Sequence, residues 1–280
     1  MSKILLIGKD FEVNRAIGQA LAESACGFEC AAGDADALAR IRRGSFDVLV
    51  TCPISSVEED LSLLEEVRLI RPGVKLIILV PQTTPEDVIA ALRARAFVCF
   101  AAPFAAGEIA DIAAQGALEA DWRNDIQVLS ARRGWISLRV NCRRLTAERL
   151  ITFLREMPSD LTPAIHDSLM LAFREVLLNA MEHGAKFDPG KVVEVAVVRT
   201  ARAIVMYVRD PGEGFRLASL PHAAVCNPAN DPIAHVERRE AEGMRPGGYG
   251  ILMARNIVDE MMYNEVGNEV LLIKHLDCGV

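Results

Sequence analysis

Over the first hundred residues, short apolar runs alternate with amphipathic stretches. Residues 4–7, 48–51, 76–80 and 97–100 are apolar runs of strand length, as expected of strands buried on both faces. Helical periodicity runs through 14–24, 61–70 and 85–95. Thr84-Pro85-Glu86 has the residues of a helix start: a capping hydroxyl, proline at the first helical position and an acid in the first turn. Alternating strand and helix predict a flavodoxin-like, doubly wound parallel sheet with helices on both faces. Ile109, Ile112, Leu118, Trp122 and Ile126 continue at near-helical intervals over about 104–129. That spacing predicts a helix joining two domains or pairing across a dimer, or, for its first half, the last helix of the preceding domain.

The second half carries three segments whose chemistry converges. In the first, LAFREVLLNAMEHG, Glu175 and Asn179 stand at i and i+4, one helical turn apart on one face. An amide oxygen suits Mg2+, which takes its remaining ligands from water and phosphate, so Asn179 is the candidate metal ligand. A neighbouring carboxylate can accept a proton from, or orient, a hydroxyl attacking a phosphate, which makes Glu175 the candidate catalytic group. Taken alone, the pair reads as well as a solvated helix face. In the second segment the apolar run 203–208 stops at Asp210-Pro211-Gly212-Glu213-Gly214-Phe215. The acceptor-only carboxylate of Asp210 matches an adenine amine, and Gly212 and Gly214 let backbone approach a ligand; a plain turn has the same composition. In the third, Arg245-Pro246-Gly247-Gly248-Tyr249-Gly250 precedes a periodic helix through Ile251, Leu252, Ala254, Ile257, Val258 and Met261. Backbone N–H groups at such a helix start suit phosphate, which selects Gly247, Gly248 and Gly250; a hinged helix start is the other reading. Neither GxxxxGK[ST] nor a GxGxxG after a strand occurs.

At these residues the chain resembles the Bergerat-fold ATP-binding domain of histidine kinases, gyrase and the bacterial anti-sigma-factor serine/threonine kinases. Its spacing is most similar to that of the anti-sigma kinases. Glu175, Asn179, Ala180, His183 and Gly184 match their Glu-x-x-x-Asn-Ala and His-Gly pattern, and Asp210, Gly212, Gly214 and Phe215 match their base-binding box. Gly248 and Gly250 match the glycine-rich box, and Gly267-Asn268-Glu269-Val270 matches a Gly-Thr-x-Val stretch, with Asn268 in place of threonine. The resemblance spans roughly 135–276. It implies an α/β sandwich with a mixed sheet and helices on one face, and ATP and Mg2+ as ligands. Asn268 is then a nucleotide-side residue, and 216–244 is a partly helical lid with Arg238, Arg239 and Arg245 as candidate phosphate contacts. The implied activity is phosphorylation of an antagonist protein on serine or threonine, sequestration of a sigma factor, or both; the alternative is an ATP-dependent binding switch without phosphoryl transfer.

The N-terminal pattern resembles the receiver domain of two-component response regulators, without its chemistry. Cys52 stands at the phosphoacceptor position, Ala102 where a lysine precedes the proline, and Gly8-Lys9-Asp10 supplies one acid where a pair is needed. This implies a pseudo-receiver that serves dimerisation or docking, with Cys52 an inert thiol rather than a redox sensor. The expected domains are therefore a pseudo-receiver at 1–122, a linker at 123–134 and an ATP-binding domain at 135–280.

Composition narrows the classes further. With 280 residues and 51% hydrophobic content the chain can fill two cores. No apolar run approaches the length of a membrane span, and the N-terminus lacks a signal-peptide layout, so a cytoplasmic location is expected. The seven cysteines lack CxxC spacing, which points to thiols rather than disulfides or zinc. Residues 1–125 hold 12 Lys and Arg against 19 Asp and Glu, an acidic surface that disfavours nucleic acid. Protein partners are expected, including a possible homodimer. All five histidines lie at or beyond residue 166, so the connecting helix holds no phosphoacceptor, which argues against a histidine kinase. His183 is read as closing the Glu175 helix.

Overall fold

The computed structural model describes residues 3–8, 11–24, 26–157, 161–215, 223–227, 231, 233–243 and 248–276. The chain divides into two compact units: Met1–Asn124 with Glu148–Pro158, and Asp125–Ala147 with Ser159–Val280.

The first unit alternates β1 (Lys3–Ile7), α1 (Glu12–Glu23), β2 (Gly27–Ala31), α2 (Asp34–Arg43), β3 (Val48–Val50), α3 (Val57–Ile70), β4 (Lys75–Val80), α4 (Pro85–Arg93), β5 (Val98–Ala101) and α5 (Ala106–Leu118). The strands pair in the parallel order β2-β1-β3-β4-β5, the flavodoxin-like order. β1, β3 and β4 are apolar at almost every position because helices cover both faces, and Leu5, Leu49 and Ile77 are fully buried. Thr84 and Asp87 cap α4 reciprocally, and Ser56 and Glu59 do the same for α3. β2 and α2 escape the apolar pattern for a physical reason. β2 is an edge strand with only Ala31 buried, and the charged α2 buries only Ala37 and Ile41.

The helix expected to continue through Ile126 ends at Leu118. Leu118 is 79% exposed, whereas Trp122, beyond the helix, is buried edge-on against Phe97 with a centroid separation of 5.3 Å. Residues 148–158 add the C-terminal part of α6 (Arg144–Arg155) to this unit. There Arg149 donates Nε to the Phe97 carbonyl at 2.8 Å and stacks 4.1 Å from the centre of that ring. The Glu156 carboxylate accepts from Ala101 N at 3.0 Å, and burial raises its pKa to about 7.

The second unit is a six-stranded sheet ordered β10-β11-β9-β8-β7-β6, built from β6 (Ile126–Arg132), β7 (Trp135–Asn141), β8 (Val192–Arg199), β9 (Ala203–Arg209), β10 (Glu260–Tyr263) and β11 (Glu269–His275). β6 falls in the segment read as linker. Every pairing is antiparallel, where a mixed sheet was expected. Hairpins join β6 to β7, β8 to β9 and β10 to β11, and the excursion through α6 and α7 (Pro163–Asn179) brings β8 back antiparallel beside β7. One face carries Ile136, Leu138, Val195, Met206, Val208, Val270 and Leu272, all buried. α7 packs on this sheet and against α9 (Gly250–Ile257). The helical periodicity of α9 stops short of Met261, which lies in β10.

Candidate functional site

α7 begins at Thr162 and Pro163, with proline at the first helical position where its missing N–H costs nothing. It buries Leu169, Ala172, Phe173, Val176 and Leu177, which leaves Glu175 and Asn179 half-buried on the other side. After Asn179 the helix widens into a π-helical turn, Ala180–Gly184, a local distortion common at functional sites. His183 lies within this turn and Gly184 ends it.

Gly184 is where α7 meets the end of β9. A Cβ there would overlap the Asp210 carboxylate, and one on Gly212 would come within 2.8 Å of both Asp210 Oδ1 and Gly184 Cα. Only glycines let these three segments close. Gly212 N donates to Asp210 Oδ1 at 2.8 Å. Burial holds the Asp210 carboxyl above the usual carboxylate range, and the Gly212 N–H offsets part of that rise.

The loop 264–268 supports this turn. Asp210 N donates to Asn268 O at 3.0 Å, and Asn268 Nδ2 reaches the carbonyls of Asp210 and Gly212, each at 3.4 Å. Asn268 Oδ1 accepts from Asn264, so this side chain is engaged in holding the Asp210 turn. Gly214 (φ +76°) and Gly267 (φ +87°) take left-handed conformations where the loops abut; a Cβ on Gly214 would overlap the Val266 backbone, and one on Gly267 the Phe215 backbone. Tyr263, edge-on to Phe215 at 5.2 Å, has its hydroxyl pushed up to about 12, chiefly by burial and secondarily by Asp210.

The third segment closes the opposite side. Gly248 (φ +94°) accepts from Ala224 N at 2.9 Å. Gly250, the first residue of α9, sits where a Cβ would be 2.6 Å from Glu175 Oε2 and 3.7 Å from Asn179 Nδ2. Gly247 and Arg245 lie outside the described residues. In the expected lid, the described parts are a 3-10 turn Ala224–Cys226 and α8 (Ala234–Ala241). The buried His235 of α8 packs edge-on against Tyr249 at 4.4 Å.

These elements enclose a cavity of about 1100 Å3 to which Glu175, Asn179, Asp210, Gly212, Gly214, Gly248, Gly250 and Asn268 all contribute. Arg239 lines it too, while Arg238 pairs with Glu242 at 3.4 Å. Lys186 and Lys191 join the lining, and no motif in the sequence marked them. Asn264 and Tyr263 also went unmarked, since Asn264 acts mainly by accepting backbone N–H groups of its own loop and Tyr263 lies in a short edge strand.

Chemically, the cavity offers a half-buried acceptor at Asp210, and a carboxylate and an amide side by side at Glu175 and Asn179. Lys186, Lys191 and Arg239 add positive charge. A carboxylate acceptor and several cations in one cavity are groups that suit a nucleotide's base amine and phosphates. Among the described residues no cluster of three or more His, Cys, Asp or Glu could hold a metal ion. The Asn179 amide together with phosphate oxygens and water is a donor set that would suit Mg2+.

In the first unit the end of β1 is closely packed. Gly8, at the end of β1, is packed so that a Cβ would lie 2.7 Å from the Phe11 ring and 3.2 Å from Cys52 Sγ. Burial raises the Cys52 pKa, a backbone hydrogen bond from Ile54 offsets part of the rise, and Asp34 and Asp60 add to it, which lowers the thiolate fraction. Asp10 lies outside the described residues.

Among the described residues no helix is long and apolar enough to cross a membrane. Comparison with known proteins adds three findings. No curated protein matches the chain. The chain is similar to a CheY-like receiver domain from Methanospirillum hungatei JF-1, with 22% identity over 43% of this chain and 96% of that one and a TM-score of 0.37. It is also similar to a response regulator from Thermotoga maritima, with 18% identity over 42% and 99% of the two chains and a TM-score of 0.38. Residues 140–274 match the family described as the histidine kinase-like ATPase domain. Residues 140–274 are thus similar to a histidine kinase-like ATPase domain, and they follow a unit whose five parallel strands run in the order β2-β1-β3-β4-β5.

Proposed function

We propose that this protein is an ATP-dependent regulator of the anti-sigma-factor kinase type, which transfers phosphate to a serine or threonine of an antagonist protein and binds a sigma factor. The observation that carries this reading is the packing of Glu175 Oε2 and Asn179 Nδ2 around Gly250 at the start of α9. A base, an amide and a helix N-terminus there share one corner of the cavity.

In this reading Asp210 Oδ2 accepts from the adenine amine, selecting against guanine, whose carbonyl it would repel. Lys186, Lys191 and Arg239 hold phosphates. Asn179 contributes a ligand to Mg2+, which when bound neutralises charge on the phosphates. Glu175 accepts the proton of the attacking hydroxyl. The unit in front carries no phosphorylation chemistry and serves docking.

A second reading, an ATP-dependent switch without transfer, draws on Arg174. Its Nη1 lies 3.8 Å from Glu175 Oε1 and competes for the carboxylate that a base must keep available. Incubation with labelled ATP, Mg2+ and candidate antagonist proteins separates the two. Transfer lost in Glu175→Ala with ATP binding intact supports the kinase. Transfer surviving that change removes Glu175 as base, and ATP binding without transfer to any candidate favours the switch.

A further inference from the structure

The loop between β10 and β11 holds two asparagines, Asn264 and Asn268, whose amide polarity is fixed by the groups around them. Asn264 Oδ1 accepts from the backbone N–H groups of Gly267, Asn268 and Glu269 at 2.7, 3.1 and 3.2 Å. Three converging donors require an oxygen there, so the Asn264 amide nitrogen is the end that meets Asn268 Oδ1, at 2.9 Å. With its oxygen engaged, Asn268 turns Nδ2 to the carbonyls of Asp210 and Gly212, each at 3.4 Å. Each of these two contacts is long and individually modest; together they span the turn at Pro211. The Asn268 carbonyl accepts from Asp210 N at 3.0 Å. Reversing either amide would set nitrogen against N–H donors or oxygen against carbonyls, so only one orientation of the pair satisfies every partner. Asn268 lines the cavity and Asn264 does not.

We propose that, given a cavity that takes ATP, Asn264 is a positioning residue for base recognition. It fixes the Asn268 amide, and through it the turn 210–212 that presents the Asp210 carboxylate to the adenine amine. Asn268 then serves the site through its protein partners rather than as a ligand of the nucleotide. A chain of matched amides holds one geometry, and a mismatch at one end is passed to the other. Asn264→Asp exposes that dependence. Its carboxylate still accepts the three loop N–H groups, so the hairpin is kept. Its second oxygen faces Asn268 Oδ1, and Asn268 can answer only by reversing its amide. That sets Asn268 Oδ1 against the two carbonyls, and the turn must move away. The Asp210 carboxylate moves with it, because its Oδ1 is tied to Gly212 N.

Titration calorimetry on the full chain with ATP and with purine riboside triphosphate, which lacks the amine, tests this. The wild type is expected to bind ATP more tightly by roughly 10- to 100-fold, the value of a hydrogen bond to a charged group. Asn264→Asp is expected to weaken ATP alone and bring the two Kd values within about threefold of each other. A general loosening of the pocket would weaken both nucleotides alike, and an unchanged ratio overturns the proposal. If circular dichroism shows Asn264→Asp to be unfolded, Asn268→Ala decides: it is expected to narrow the ratio in the same way, and a ratio it leaves unchanged overturns the proposal. In the Asp210→Asn background neither substitution is expected to alter the ATP Kd by more than about twofold, since both act through Asp210. A full loss on top of Asp210→Asn would make Asn268 a direct ligand and overturns the positioning role. A wild type that binds the two nucleotides equally overturns the base-site reading of Asp210 itself, whereas a preference for ATP that the variants leave intact overturns the positioning role alone.

Discussion

Gly250→Ala isolates the geometry of Glu175. The added Cβ would lie 2.6 Å from Glu175 Oε2, so the carboxylate must retreat by about 0.8 Å to reach ordinary contact, while Asn179 Nδ2 at 3.7 Å is already there. The clashing atom ends a flexible side chain, so the fold absorbs the change. Alanine in place of glycine at the start of α9 is expected to contribute up to about 1 kcal/mol. A displacement near 1 Å of a reacting group costs on the order of 100-fold in rate. The expected outcome is an unchanged or slightly raised melting temperature, an ATP Kd within a few-fold of wild type by calorimetry, and phosphate transfer or ATP turnover slowed about 100-fold. Turnover at the wild-type rate would refute the idea that Glu175 must occupy this position. A collapse of ATP binding would show instead that the Cβ points at the nucleotide.

Asp210→Asn removes an acceptor-only group and is expected to raise the ATP Kd by roughly 10- to 100-fold, the value of a hydrogen bond to a charged group; an unchanged Kd by titration calorimetry would displace Asp210 from the base site. In the first unit, Asp60 is buried against Thr51 Oγ1 at 2.6 Å, and burial raises its pKa to about 7. A folded-state value above the unfolded one means that this stability is fully present below about pH 4 and is lost as pH rises through 7. Thermal melts are therefore expected to decline from about pH 5 to 8, and Asp60→Asn to flatten part of that decline, Glu156 supplying the remainder; an unaltered pH slope would contradict the assignment.

The parallel sheet was legible because strands covered on both faces must be apolar throughout, as in residues 76–80. β2 and α2 were not, because an edge strand and a charged surface helix bury too little to leave a period. Trp122 kept a helical interval from Leu118 and misled, since its burial comes from stacking on Phe97 rather than from a helix face. In the cavity, Glu175 and Asn179 could be paired by spacing alone, and Asp210 by its position at a strand end. The contact between Gly184 and Asp210 joins segments 26 residues apart, and no local pattern encodes it. The two lysines were hidden for a similar reason: Lys186 follows a π-helical turn whose extra residue per turn resets the helical phase.

The interlock of Gly184, Asp210 and Gly212 constrains the paths by which this site can change over generations. While Asp210 is in place, neither glycine can acquire a side chain, because each would collide with the carboxylate or with neighbouring backbone. Because the Asp210 Cβ alone would lie 2.6 Å from a Cβ on Gly184, Gly184 is released from this contact only when position 210 becomes glycine too. From then on a return of aspartate is blocked by whatever side chain has accumulated there. A return of the carboxylate then needs two substitutions, one at 210 and one at 184, rather than one.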